Sequence, residues 1–138
     1  MKHFDVVIIG GGPGGTPAAI YLAQAGKEVL LVDGRGKPGG ECLFEGCIPS
    51  KILEQSADCY YLLKNIHKLG IKLNGDPSIN WGKVIEKKNS ILKLRSEAAL
   101  NRLKNMPGLT FADAKACFAS NNVLDKIRLQ DRCKGADK

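Results

Sequence analysis

The chain has 138 residues, with 21 Lys and Arg against 14 Asp and Glu and a formal charge of +7, a length that suits about one domain. No apolar segment is long enough to span a membrane, and Met1-Lys2-His3 leads into the first apolar run without a signal peptide; the chain therefore reads as cytoplasmic, with no membrane partner. The basic excess gathers at Lys83, Lys87, Lys88, Lys93, Arg95, Arg102 and Lys104, on or near one predicted helix. It reads as a solvated helix face and not as a nucleic-acid surface.

The first element, residues 4–9, is apart from Asp5 an apolar, largely β-branched run of the kind expected of a strand buried on both faces. It feeds Gly10-Gly11-Gly12-Pro13-Gly14-Gly15, which satisfies G-x-G-x-x-G. One glycine turns tightly, the next lets backbone approach a pyrophosphate, and the third lets helix and strand pack closely. Gly10, Gly12, Pro13, Gly14 and Gly15 are thus the expected dinucleotide cradle. Ala18, Ala19, Leu22 and Ala23 give the following helix a small apolar face. Pro17 falls in its first turn, where a missing N–H is tolerated, and Gly26 marks its end. A second strand, 28–32, stops at Asp33, an acidic residue about 20 positions after the loop, placed to accept from a ribose hydroxyl.

Cys42 and Cys47 follow in Gly39-Gly40-Glu41-Cys42-Leu43-Phe44-Glu45-Gly46-Cys47-Ile48-Pro49-Ser50-Lys51. Residues five apart on a regular helix are separated by about 7.5 Å of rise, whereas a disulfide wants Cα atoms within roughly 7 Å. Both cysteines therefore cannot lie on one regular helix. Gly46 and Pro49 suggest that Cys42 sits in an irregular lead-in and that the helix proper starts near Pro49. Cys47 would then lie close to a helix N-terminus, where unpaired N–H groups favour a thiolate. A paired cysteine in a cytosolic chain is more often catalytic or metal-binding than structural; a zinc site needs two further ligands, and none is evident, so no metal is expected. Cys59, Cys117 and Cys133 read as ordinary buried or half-buried thiols.

Beyond Lys51, residues 52–69 continue the helix that begins after Cys47. Residues 72–80, with Gly75 and Pro77, read as a loop. A second long helix is expected over Trp81–Lys104, with apolar positions Ile85, Leu92, Ala99 and Leu103 at helical spacing. His3 and His67 carry no special pattern.

The glycine loop and the stretch 39–51 together resemble the pyridine nucleotide-disulfide oxidoreductases. The resemblance implies an α/β fold, a Rossmann-like three-layer FAD-binding domain with a parallel sheet, whose first glycine-rich unit binds FAD. It implies that Cys42 is the thiol that exchanges with a dithiol or disulfide substrate. Cys47 would face the flavin and pass electrons to it, and Lys51 would sit near the flavin N5. Gly40 and Glu41 would line the cofactor. Ala114-Lys115-Ala116-Cys117-Phe118 resembles a short strand motif, G-x-A-x-F, in which backbone at the Ala116 position touches the flavin nucleotide. The ending Ile48-Pro49-Ser50-Lys51 is closer to the dihydrolipoyl dehydrogenase and mercuric reductase branches than to glutathione reductases, which usually carry lysine where Ser50 stands. The implied reaction is oxidation of a dithiol such as dihydrolipoamide, with NAD as acceptor in a full-length homodimer. A mercuric reductase, or a fragment that holds FAD or ADP without turnover, are the alternatives.

Several residues depart from that pattern. Glu41 stands where threonine is usual, and its carboxylate is expected to repel the pyrophosphate or raise the pKa of Cys42. Asp33 replaces a longer glutamate, and Ala114 replaces glycine. No second G-x-G-x-x-G and no His-Glu acid–base pair occur in these residues. The reading is therefore of residues 1–138 as a C-terminally incomplete FAD-binding domain, with NAD-binding and C-terminal dimerisation domains absent.

Overall fold

The computed structural model describes residues 2–121 and 123–127. The two β-branched runs become adjacent parallel strands, β1 (Val6–Ile9) and β2 (Val29–Asp33), joined by helix α1 (Gly15–Gln24). A short helix, α2 (Gly40–Phe44), and a long one, α3 (Cys47–Asn65), follow; α3 ends in a 3-10 turn over Ile66–Leu69. Helix α4 (Trp81–Lys104) leads back to β3 (Leu109–Asp113), and β4 (Lys115–Ser120) and β5 (Val123–Ile127) form an antiparallel hairpin. The parallel sheet has the order β1-β2-β3, in register from Val6↔Val29 and Val29↔Leu109 to Asp33↔Asp113. Parallel strands in register bring their carboxyl ends to one rim, and the glycine loop, the residues after Asp33 and the start of the hairpin all leave from that rim.

Side chains alternate across a strand, so each face of the sheet has its own composition. Val29, Leu31 and Leu109 point to one face and join Ala19, Ala23 and Leu103 in the buried core, with Ile8, Ile20 and Phe111 packed against it. The small residues of α1 let that helix lie close to the sheet. Ala19 is fully buried and Ala23 nearly so, whereas Ala18, expected on the same face, is exposed. On the other face, Val7, Ile9, Leu30, Thr110 and Ala112 line an open cavity of about 840 Å³, bordered on the far side by Phe118, Val123 and Leu124 of the hairpin. The layers are therefore helices, parallel sheet and hairpin, as expected for the three-layer α/β class. The prediction that residues 4–9 are buried on both faces is not met. Val7 is 37% and Ile9 49% exposed, because among the described residues the hairpin does not fill the face opposite α1 and α4.

The helix boundaries follow local chemistry. Gly26 takes a left-handed φ of 80° after the Ala25 C-cap of α1. Asn80 caps α4 by accepting from the Lys83 N–H at 3.1 Å, and α4 spans the predicted Trp81–Lys104 with Leu92 and Leu103 buried. Cys59 is exposed on α3, not buried or half-buried. Cys117 is disulfide-bonded, not an ordinary thiol, and Cys133 lies outside the described residues.

Candidate active site

The glycine loop is a place where backbone needs room. A Cβ on Gly15, the first residue of α1, would overlap the Gly10 carbonyl oxygen. Gly40, at φ +56°, presses so close to the loop that a Cβ there would lie 2.7 Å from the Gly12 Cα. The Gly39 N–H donates to the Gly11 carbonyl at 2.7 Å, so the segment carrying the cysteines is fastened directly over the loop. Thr16 ties the helix start back by donating from Oγ1 to the Gly11 carbonyl at 2.7 Å. Helix α1 has Gly14 at its N-cap and no side-chain cap; the Thr16 N–H donates to the Gly12 carbonyl at 3.1 Å and Pro17 has no N–H, so Gly15 offers the first-turn N–H that an anion could meet. The close backbone approaches at Gly12, Gly15 and Gly40 leave a side-chain-free cradle whose shape fits a pyrophosphate.

Asp33 is 8% exposed at the end of β2. Its Oδ2 accepts from the Gly11 N–H at 2.7 Å and its Oδ1 from the Arg35 N–H at 2.8 Å. The carboxylate thus braces the glycine loop from the end of β2. The Ala114 N–H donates to the Asp33 carbonyl at 3.2 Å, which brings the start of β4 to the same rim. Ala116 sits two residues further along that strand, half-buried and paired with Lys126.

Cys42 and Cys47 lie on two different helices. Cys42 is half-buried in α2, a short helix and not the irregular lead-in expected. Cys47 is exposed at the first position of α3, two residues before Pro49, where the sequence predicted a helix N-terminus. Between them the chain turns at Gly46, whose N–H donates to the Glu41 carbonyl at 2.8 Å. A Cβ on Gly46 would lie 3.3 Å from that oxygen and 3.7 Å from the Cys42 Cα. The turn brings the two cysteines side by side, which the straight helix could not do. Interaction with the Cys47 side chain is the first cause pushing the Cys42 thiol above its ordinary value; desolvation and the charge on Cys47 add to it. Glu41 is not among the causes, against the expectation that its carboxylate would raise the Cys42 pKa.

The Glu41 carboxylate is paired instead with Arg35, a residue outside every motif in the sequence. Its guanidinium reaches Glu41 Oε1 at 2.6 Å through one nitrogen and Glu45 Oε1 at 2.6 Å through the other, with Cζ 5.7 Å from the Phe44 ring centroid. Glu41 and Glu45 are one helical turn apart, so a single planar cation spans both. The i,i+4 spacing of two carboxylates around Cys42, with an arginine just past Asp33, was the available signal. Lys51 lies one turn beyond Cys47 on α3, where its ammonium pairs with Glu54 at 2.5 Å. That pairing raises the Lys51 pKa. Among the described residues no group of three or more His, Cys, Asp or Glu gathers as a metal centre would need, and no helix is long and apolar enough to cross a membrane.

The family model described as pyridine nucleotide-disulphide oxidoreductase matches residues 4–129. The chain belongs to that family. A dihydrolipoyl dehydrogenase of Chlamydia muridarum is 42% identical over 122 residues, 88% of this chain and 26% of that protein. One from Bacillus subtilis is 46% identical over 88 residues, 63% of this chain and 19% of that protein. A glutathione reductase of Schizosaccharomyces pombe is 32% identical over 119 residues, 86% of this chain and 25% of that protein. Among solved structures, the Cu(II) complex of the HOCl-induced flavoprotein disulfide reductase RclA from Escherichia coli superposes with a TM-score of 0.74 at 27% identity, over 95% of this chain and 26% of that one. This pyridine nucleotide-disulphide oxidoreductase chain therefore spans about a quarter or less of the length of these relatives.

Proposed function

We propose that this chain is the flavin- and disulfide-bearing part of a disulfide oxidoreductase of the dihydrolipoyl dehydrogenase type. The observation that carries the proposal is the Gly46 turn that sets Cys42 beside Cys47, on a segment fastened over the glycine loop at Gly39 and Gly40. FAD, when bound, supplies the two-electron acceptor that a dithiol–disulfide exchange needs. Gly10, Gly12, Pro13, Gly14 and Gly15 would cradle its pyrophosphate and Asp33 its ribose. Gly40, Glu41 and the backbone at Ala116 would line it, with Lys51 near its ring. The chain's own residues do the thiol chemistry. The substrate thiolate attacks the Cys42 sulfur of the disulfide, the Cys42–Cys47 bond breaks, and its electron pair leaves on Cys47 as a thiolate. A helix N-terminus stabilises that leaving charge.

Dihydrolipoyl dehydrogenase is favoured over glutathione reductase by Ser50 in Ile48-Pro49-Ser50-Lys51. The substrate assigned is thus a dithiol such as dihydrolipoamide. NAD as acceptor, homodimerisation and a cytoplasmic role in cell redox homeostasis are assigned to a longer protein. The 138 residues alone are expected not to turn over.

The test is a visible absorption spectrum of the purified chain after incubation with FAD and desalting, before and after one equivalent of dithiol. A retained flavin band that gains long-wavelength thiolate-to-flavin absorbance supports the reading. A colourless protein overturns it for this chain.

A further inference from the structure

Helix α2 has five residues and no side-chain cap, and so short a helix does not hold itself in water. Its fastenings are therefore external. One is the burial of Leu43 at 8% exposure, another the Gly39 N–H to Gly11 bond, and the third is Arg35. The Arg35 backbone is fixed by its N–H to the buried Asp33 carboxylate, and its guanidinium holds Glu41 and Glu45 on either side of Cys42 at 2.6 Å each.

We propose that Arg35 is the positioning residue of the cysteine turn: by gripping both carboxylates that flank Cys42, it holds α2 against the exit of β2 and sets how readily Cys42 and Cys47 close into a disulfide. This rests on the reading of the pair as redox-active. The step is two thiols plus one glutathione disulfide giving the Cys42–Cys47 bond and two glutathione thiols. Two electrons and two protons pass to glutathione, which serves as the probe.

The experiment equilibrates the full chain with mixtures of glutathione and glutathione disulfide and maps the peptide carrying Cys42 and Cys47 by mass. Arg35→Gln is expected to lower the equilibrium constant for the intramolecular disulfide by about threefold or more, which is what removing two exposed ion pairs supports. Arg35→Lys is expected to recover part of the loss, since it keeps the charge but not the planar fork. Glu41→Gln combined with Glu45→Gln removes the same pairs from the carboxylate side and keeps the guanidinium; the backbone N–H of residue 35 still meets Asp33 in either variant. It is expected to reproduce the shift, and it carries the test if Arg35→Gln does not fold. A smaller shift in the folded variants overturns the role of Arg35. A wild-type chain that forms no Cys42–Cys47 disulfide overturns the redox reading instead.

Discussion

The glycine loop and the cysteine turn touch at Gly39 and Gly40, yet they are held by opposite means. The loop is fixed by steric exclusion and buried backbone hydrogen bonds. Gly15 lies against the Gly10 carbonyl, Gly40 against Gly12, and the Gly11 N–H meets the buried Asp33 carboxylate. The turn is fixed on its outer side by exposed ion pairs, with Glu41 76% and Glu45 57% exposed. Steric walls and buried hydrogen bonds admit no gradual adjustment, whereas exposed pairs are weak and are screened by salt. Under the proposed function, in which the loop holds a large cofactor and the turn opens and closes a disulfide, rigidity suits the first part and adjustability the second.

That contrast breaks most visibly at Gly15. Gly15→Ala forces a methyl into the Gly10 carbonyl, so α1 must shift away from β1. The expected loss is at least about 3 kcal/mol in urea unfolding, or failure to fold. Gly40→Ala puts a side chain at φ +56° and against the Gly12 backbone. The left-handed conformation alone costs about 1–2 kcal/mol, and FAD retention should fall with it. Asp33→Asn leaves one of the two N–H donors, from Gly11 or Arg35, facing an amide N–H₂. A loss of about 1.5–2 kcal/mol is expected, as for a hydrogen bond to a charged group. If any of these three proved silent in urea titration, the loop would not be the rigid half of the site.

The rigid half was also the legible half. G-x-G-x-x-G, Pro17, Gly26 and Asp33 are fixed by local backbone chemistry, and each occupies the position its residue type predicted. So does Cys47 at a helix start, and so does α4, whose apolar spacing is long enough to average out local noise. Two features were not legible. The opening of Val7 and Ile9 into a cavity depends on what a distant hairpin covers, and an apolar run carries no mark of that. The Arg35 clamp depends on side chains from β2 and α2 meeting in space. Its only trace in sequence is the spacing of Glu41 and Glu45 about Cys42, which taken alone reads as two unfavourable charges beside a nucleophile. The departure of Glu41 from threonine looked like a defect because its partner lies six residues earlier on a different element.

The smallest expected effect tests the adjustable half. The Arg35 guanidinium, with the Glu41 side chain adding to it, holds the Glu45 carboxyl below the usual carboxylate range. A carboxyl whose folded value is depressed stabilises the fold above its ordinary unfolded value. It loses that contribution as pH falls through the folded one. Wild type and Glu45→Gln should therefore differ slightly in Tm at neutral pH, and the gap should close as the medium is acidified below the ordinary carboxylate range. High salt at neutral pH should shrink the same gap, because the pair is exposed. The Gly15→Ala deficit, steric in origin, should survive both treatments. A Glu45 gap that persisted at acid pH and in high salt would mean that the Glu45 side chain acts by packing beside Phe44 and not by charge, and the turn would then be as rigid as the loop beneath it.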